Sequence, residues 1–93
     1  MVSVRPLTAM PYAQAKVVRT TNSITLISYE TTVAEIKGAE LVVYGLYSMT
    51  TRRHISAFVR EYCDTDYATA KECYEKGLRF DIVARKFRER RGW

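Results

Sequence analysis

The sequence predicts an α+β fold, in which an N-terminal antiparallel sheet of three or four strands is followed by two or three helices packed on one face. Three observations predict it. Residues 14–47 are rich in β-branched side chains and short polar–apolar alternations. At Ser48 the apolar spacing switches to a helical period. A length of 93 residues, 47% hydrophobic and 27% charged, suits one core shared by both halves.

Residues 1–12 read as an irregular arm, because Pro6 and Pro11 remove amide donors and disfavour helix before them. Residues 14–47 read as a β-meander. Lys16 to Thr20 forms a strand, Thr21-Asn22 a turn, and Ser23 to Tyr29 the clearest alternating strand. Thr31 to Lys37 follows, with Lys37-Gly38 as its turn signal. Glu40 to Tyr47 closes the meander and contains the apolar run Leu41-Val42-Val43-Tyr44. Connections this short require antiparallel pairing.

Residues 50–91 read as the helical part of a single domain spanning 1–93. Ile55, Phe58, Val59 and Tyr62 fall at i, i+3, i+4 and i+7, with Arg52, Arg53, Ser56 and Arg60 largely opposite and Ser48 or Thr50 as cap. Asp64-Thr65-Asp66 restarts the chain for a second helix from about Asp66 to Lys76, stopped by Gly77. Phe80, Val83, Ala84 and Phe87 repeat the helical spacing, so a third helix is expected from near Asp81, carrying basic residues outward.

The formal net charge is +5, and it is unevenly spread. Residues 1–77 hold nine basic and eight acidic side chains, whereas residues 78–93 hold six basic and two acidic ones. Such asymmetry favours an anionic partner, set against the plainer reading of a solvated helix face. The expected contact residues are Arg52, Arg53 and Arg60 on the first helix, with Arg79, Arg85, Lys86, Arg88, Arg90 and Arg91 near the end of the chain. If the two helices pack side by side, their arginines merge into one positive face whose planar forks suit phosphate or carboxylate. Tyr29, Tyr44, Tyr47 and Tyr62 are expected to fill the sheet–helix interface, with base stacking as the functional alternative.

Catalytic chemistry finds little support. Cys63 and the lone His54 are nine residues apart on one helix, about 13 Å along the axis. Two cysteines without CxxC spacing read as buried reduced thiols, and a zinc site would need carboxylates to complete it. The glycines occur singly, so no phosphate-binding loop forms. The Asp64/Asp66 pair is explained by the helix start it occupies, and His54 by a hydrogen bond to a strand carbonyl or a threonine hydroxyl. No cofactor, metal or catalytic set is expected. No apolar run approaches a membrane span or a signal peptide, which predicts a cytoplasmic protein.

Two segments carry a resemblance. Ser28-Tyr29-Glu30-Thr31-Thr32-Val33-Ala34 and Tyr47-Ser48-Met49-Thr50-Thr51-Arg52-Arg53-His54-Ile55-Ser56-Ala57-Phe58 resemble SYxTxVA-like and YSxTTxRHIxxF-like motifs of short uncharacterised phage and prophage proteins. The resemblance implies a hairpin region followed by a helix, and an origin in a phage or other mobile element; it implies no activity. With the charge reading, it leads to a small binding protein that inhibits or modulates a host nucleic-acid-handling machine, as an anti-defence or anti-CRISPR-like inhibitor would. The expected partner is a host protein or protein–nucleic-acid complex. Direct binding of DNA or RNA as a regulator is the first alternative, and a structural or assembly role in the particle is the second.

Overall fold

A computed structural model describes residues 2–90. The chain runs β1 (Ser3–Arg5), β2 (Ala15–Arg19), β3 (Ser23–Ser28), β4 (Thr31–Lys37), β5 (Glu40–Val43), α1 (Met49–Tyr62), α2 (Tyr67–Lys76), β6 (Leu78–Asp81) and β7 (Lys86–Glu89). All the strands join one seven-stranded sheet in the order β1-β2-β3-β4-β5-β6-β7, and every neighbouring pair is antiparallel. The helices are an excursion between two adjacent strands, β5 and β6.

This corrects the expected sheet of three or four strands followed by two or three helices. The sheet has seven strands, there are two helices among the described residues, and strands follow them. The arm contributes edge strand β1, and Leu7 beyond it is fully buried. The expected third helix is the β6–β7 hairpin. Its turn is closed by the Arg85 amide donating to the Asp81 carbonyl at 2.8 Å and the Ala84 amide donating to Asp81 Oδ1 at 2.8 Å. Val83, a member of the supposed buried stripe, is 81% exposed in that turn. Phe80 and Phe87 instead face each other across the hairpin, ring centroids 5.4 Å apart.

Register sorts the side chains onto two faces. Val17, Leu26, Ala34, Leu41/Ile36/Val43 and Phe80 align across the strands and join Ile55, Phe58, Val59 and Cys63 of the helical region in one buried cluster. A side chain as large as Phe58 or Ile55 contributes about 1.5–3 kcal/mol when fully buried. Helix α1 lies against β3 and β4, and α2 against β5 and β6. The opposite face carries Thr25, Glu35 and Val42 in register, with Arg79 and Glu40 ion-paired at 3.0 Å and Arg88 and Asp81 at 3.0 Å.

The helix ends follow the expected chemistry. Ser48 has extended backbone and its hydroxyl accepts from the Thr51 amide at 3.2 Å, so Ser48 is the cap of α1. Asp66 caps α2 by accepting from the Thr69 amide at 3.3 Å. Gly77 ends α2 in the left-handed region, φ 62, where a side chain would be strained.

Candidate functional site

Residues 28–34 and 47–58 meet at the N-terminus of α1. Ser28 is the last residue of β3, with alternation pointing it into the core, and Thr51 and His54 lie on the buried side of α1. Ser28 Oγ lies 2.8 Å from His54 Nδ1 and 3.1 Å from Thr51 Oγ1, and Ser48 donates to Thr51 Oγ1 at 3.3 Å. Counting donors gives one consistent chain: Ser48 to Thr51, Thr51 to Ser28, and Ser28 to His54 Nδ1. In that chain each hydroxyl gives one proton and accepts another, and Nδ1 accepts, as a neutral imidazole can. Burial lowers the His54 pKa below the ordinary histidine value, in agreement with that assignment.

His54 therefore holds a strand hydroxyl, Ser28, where a strand carbonyl or threonine was expected. Ser28 and His54 are spaced like a nucleophile and its base, yet Ser28 is 2% and His54 1% exposed. Neither of two surface hollows, one at residues 13–16 with Ile27, Tyr29 and Glu30 and one at residues 19–24 with Ile36 and Gly38, is lined by either side chain. What the network does in this geometry is fasten the end of β3 to the first turn of α1.

Two tyrosines flank that fastening. Ser28 pairs with Thr31, so Tyr29-Glu30 is a two-residue hairpin loop, and both residues have positive φ, 49 and 68. Such a turn normally takes Asn-Gly or Asp-Gly. A left-handed backbone costs a residue with a Cβ about 1–2 kcal/mol. Tyr29 is 53% exposed, its ring centroid 5.8 Å from that of His54. Tyr47 also has positive φ, 48, and is 61% exposed. Its ring lies against Gly45, where an added Cβ would come within 2.4 Å of Tyr47 Cε2. Contrary to expectation, neither tyrosine fills the sheet–helix interface. Tyr62 does pack on the core, 5.2 Å from Phe58, and Tyr44 sits near the opposite sheet face, donating to Glu35 at 2.8 Å.

The basic residues separate into two groups. Arg52, Arg53 and Arg60 are exposed on α1, and their guanidinium groups have no partner among the described residues. Positions 52, 56 and 60 are one ridge, with 53 beside it. The first turn of α1 contains no acidic residue, so the positive helix end adds to Arg52 and Arg53, whereas Arg60 lies in the last turn, by the negative end. Four members of the second group, Arg79, Arg85, Arg88 and Arg90, are engaged. Arg79 bonds Glu40, and Arg88 bonds Asp81. Arg85, at φ 58, donates to the carbonyls of Cys63 at 2.7 Å and Asp64 at 2.8 Å, clasping the hairpin to the end of α1. Arg90 lies 5.7 Å over the Tyr44 ring, and Lys86 is exposed opposite Asp81. Arg91 lies outside the described residues. With no third helix, the arginines of α1 and those of the chain end do not merge into one helical face.

Cys63 and Cys73 are free, buried thiols, each pushed up to about 12 chiefly by burial. Among the described residues no three His, Cys, Asp or Glu side chains are grouped to hold a metal ion, and no helix is long and apolar enough to cross a membrane.

Residues 4–76 match a family of unknown function, DUF8033. The chain belongs to that family. The match contains both motif segments, the hydroxyl–imidazole network and the free arginines, and stops before β6, so the clasped hairpin lies outside it. No curated protein and no solved structure matches the chain.

Proposed function

We propose that this DUF8033 member is a small non-enzymatic binding protein, of the phage or mobile-element kind its motifs resemble, that docks on an acidic patch of a host protein in nucleic-acid handling and blocks or modulates it. The observation that carries this reading is the contrast between the arginines. Arg79, Arg85, Arg88 and Arg90 are spent on acids, carbonyls and a ring, whereas Arg52, Arg53 and Arg60 lie along α1, exposed and unpartnered among the described residues. Clustered like charges repel one another and gain most when an anionic surface arrives.

Magnitude favours an acidic protein over duplex DNA. Three phosphate contacts give a salt slope of only about −2.7 on duplex DNA, well short of the 6–10 contacts typical of a strong electrostatic DNA grip. Exposed tyrosine, methionine and arginine together are the residues enriched in protein interfaces.

The test sets the wild type beside the triple variant Arg52→Glu, Arg53→Glu, Arg60→Glu in pull-downs from host extract, with size-exclusion analysis of any complex. A stoichiometric host protein retained by the wild type and lost by the variant is the expected result. Equal retention by both removes the reading. Mobility-shift titrations with duplex and single-stranded DNA across salt run in parallel, and tight binding with a slope much steeper than about −3 would assign the surface to nucleic acid instead.

A further inference from the structure

Resting on that reading, the geometry points to Tyr29 and Tyr47 as the apolar anchors of the same surface, recognising an acidic protein segment that carries apolar side chains between its carboxylates. Both tyrosines are more than half exposed and both sit on left-handed backbone, at φ 49 and φ 48. Local strain of this kind persists where surrounding structure over-determines it, and it clusters at binding sites. The over-determination is visible. Ser28, adjoining Tyr29, and Ser48, adjoining Tyr47, are joined through Thr51 by buried or part-buried hydrogen bonds. His54 supports the Tyr29 ring, and bare Gly45 leaves room for the Tyr47 ring. Rigid aromatic rings lose little conformational freedom when a partner covers them. Met49, 65% exposed, lies between Tyr47 and Arg52 in the sequence and extends the apolar ground toward the free arginines. Glu30 is the one acid in the Tyr29 turn, and it disfavours a partner that is anionic throughout.

The probe is a fluorescent soluble peptide in which Asp and Glu alternate with Leu and Phe, titrated by anisotropy beside an all-Asp/Glu peptide of equal charge. The wild type is expected to prefer the mixed peptide. The decisive variant is Tyr29→Asn with Glu30→Gly, which supplies the residues this turn normally takes. It should melt no lower than the wild type yet bind the mixed peptide about tenfold more weakly, as should Tyr47→Ala. Gly45→Ala, which displaces the Tyr47 ring without deleting it, should weaken binding in the same direction. Tyr74→Ala, an exposed tyrosine on α2, should bind as wild type does. Unchanged affinity in both the turn variant and Tyr47→Ala overturns the anchor assignment; loss in the triple arginine variant alongside would leave the acidic-partner reading standing. Undiminished binding by the triple arginine variant overturns that reading, and a wild type that binds neither peptide overturns both. Tighter binding of a single-stranded oligonucleotide, lost with the same tyrosines, overturns the choice of partner.

Discussion

Removing the Ser28 hydroxyl tests the fastening between β3 and α1 most directly. In Ser28→Ala, His54 Nδ1 loses its partner at 2.8 Å and Thr51 loses one at 3.1 Å, although Thr51 keeps Ser48 at 3.3 Å. One buried ring nitrogen is then left alone. A polar group stranded in this way costs about 1–3 kcal/mol, and about 2 kcal/mol lowers the melting temperature of a domain this size by roughly 8–16 °C. The assay is urea and thermal unfolding of wild type, Ser28→Ala, His54→Leu and the double variant. The two single losses should not add, because either one already breaks the same bond. A Ser28→Ala protein within about 0.5 kcal/mol of wild type would refute the reasoning, since surface-like tolerance is incompatible with a stranded buried nitrogen.

Other outcomes follow from the same geometry. The folded pKa of His54 lies below its unfolded value, so below about pH 6.5 the unfolded chain binds the extra proton first. Stability is therefore complete above that pH and should fall as the solution is acidified toward the folded pKa; urea unfolding at stepped pH should show the decline in wild type and its loss in His54→Leu. Arg85→Ala removes two charged hydrogen bonds to the end of α1 and should cost about 1.5–3 kcal/mol, seen as faster amide exchange in residues 78–89. Cys63 and Cys73, buried and pushed up to about 12, should resist iodoacetamide at neutral pH until denaturant is added.

The front of the sheet was legible because its signals are local. Ser23 to Ser28 alternates, and its neighbours end at turn residues, so β2 to β4 fall within a residue or two of their expected limits. The caps of both helices could likewise be read from Ser48, Asp66 and Gly77. The β6–β7 hairpin could not, because spacing alone is ambiguous there. Phe80 and Phe87 are seven residues apart, which suits two helical turns, but it also suits facing positions across a hairpin with a short connection. The polar–apolar alternation of Leu78-Arg79-Phe80-Asp81 was the competing signal, and Val83 at the turn settles the matter by being exposed. Of the site, the free arginines of α1 were legible from helical phase. Its tyrosines were not, since nothing in Tyr-Glu advertises a tight turn. The alternation carries the expected strand through Tyr29 and leaves only Glu30 between strands, whereas the strand ends at Ser28 and Tyr29-Glu30 forms the turn. The bond from Ser28 to His54 spans 26 positions and depends on tertiary packing.

The strictly sequential strand order has a kinetic consequence. Each pairing from β1 to β5, and that of β6 with β7, joins neighbours across a turn or short loop, so those ladders close over small separations, and loop entropy scarcely delays them. One seam differs: Leu41 meets Phe80 only after the chain has passed through both helices. Assembly thus resembles a zip with a single late clasp, and pulse-labelled amides in β6 should gain protection after those in β3 and β4.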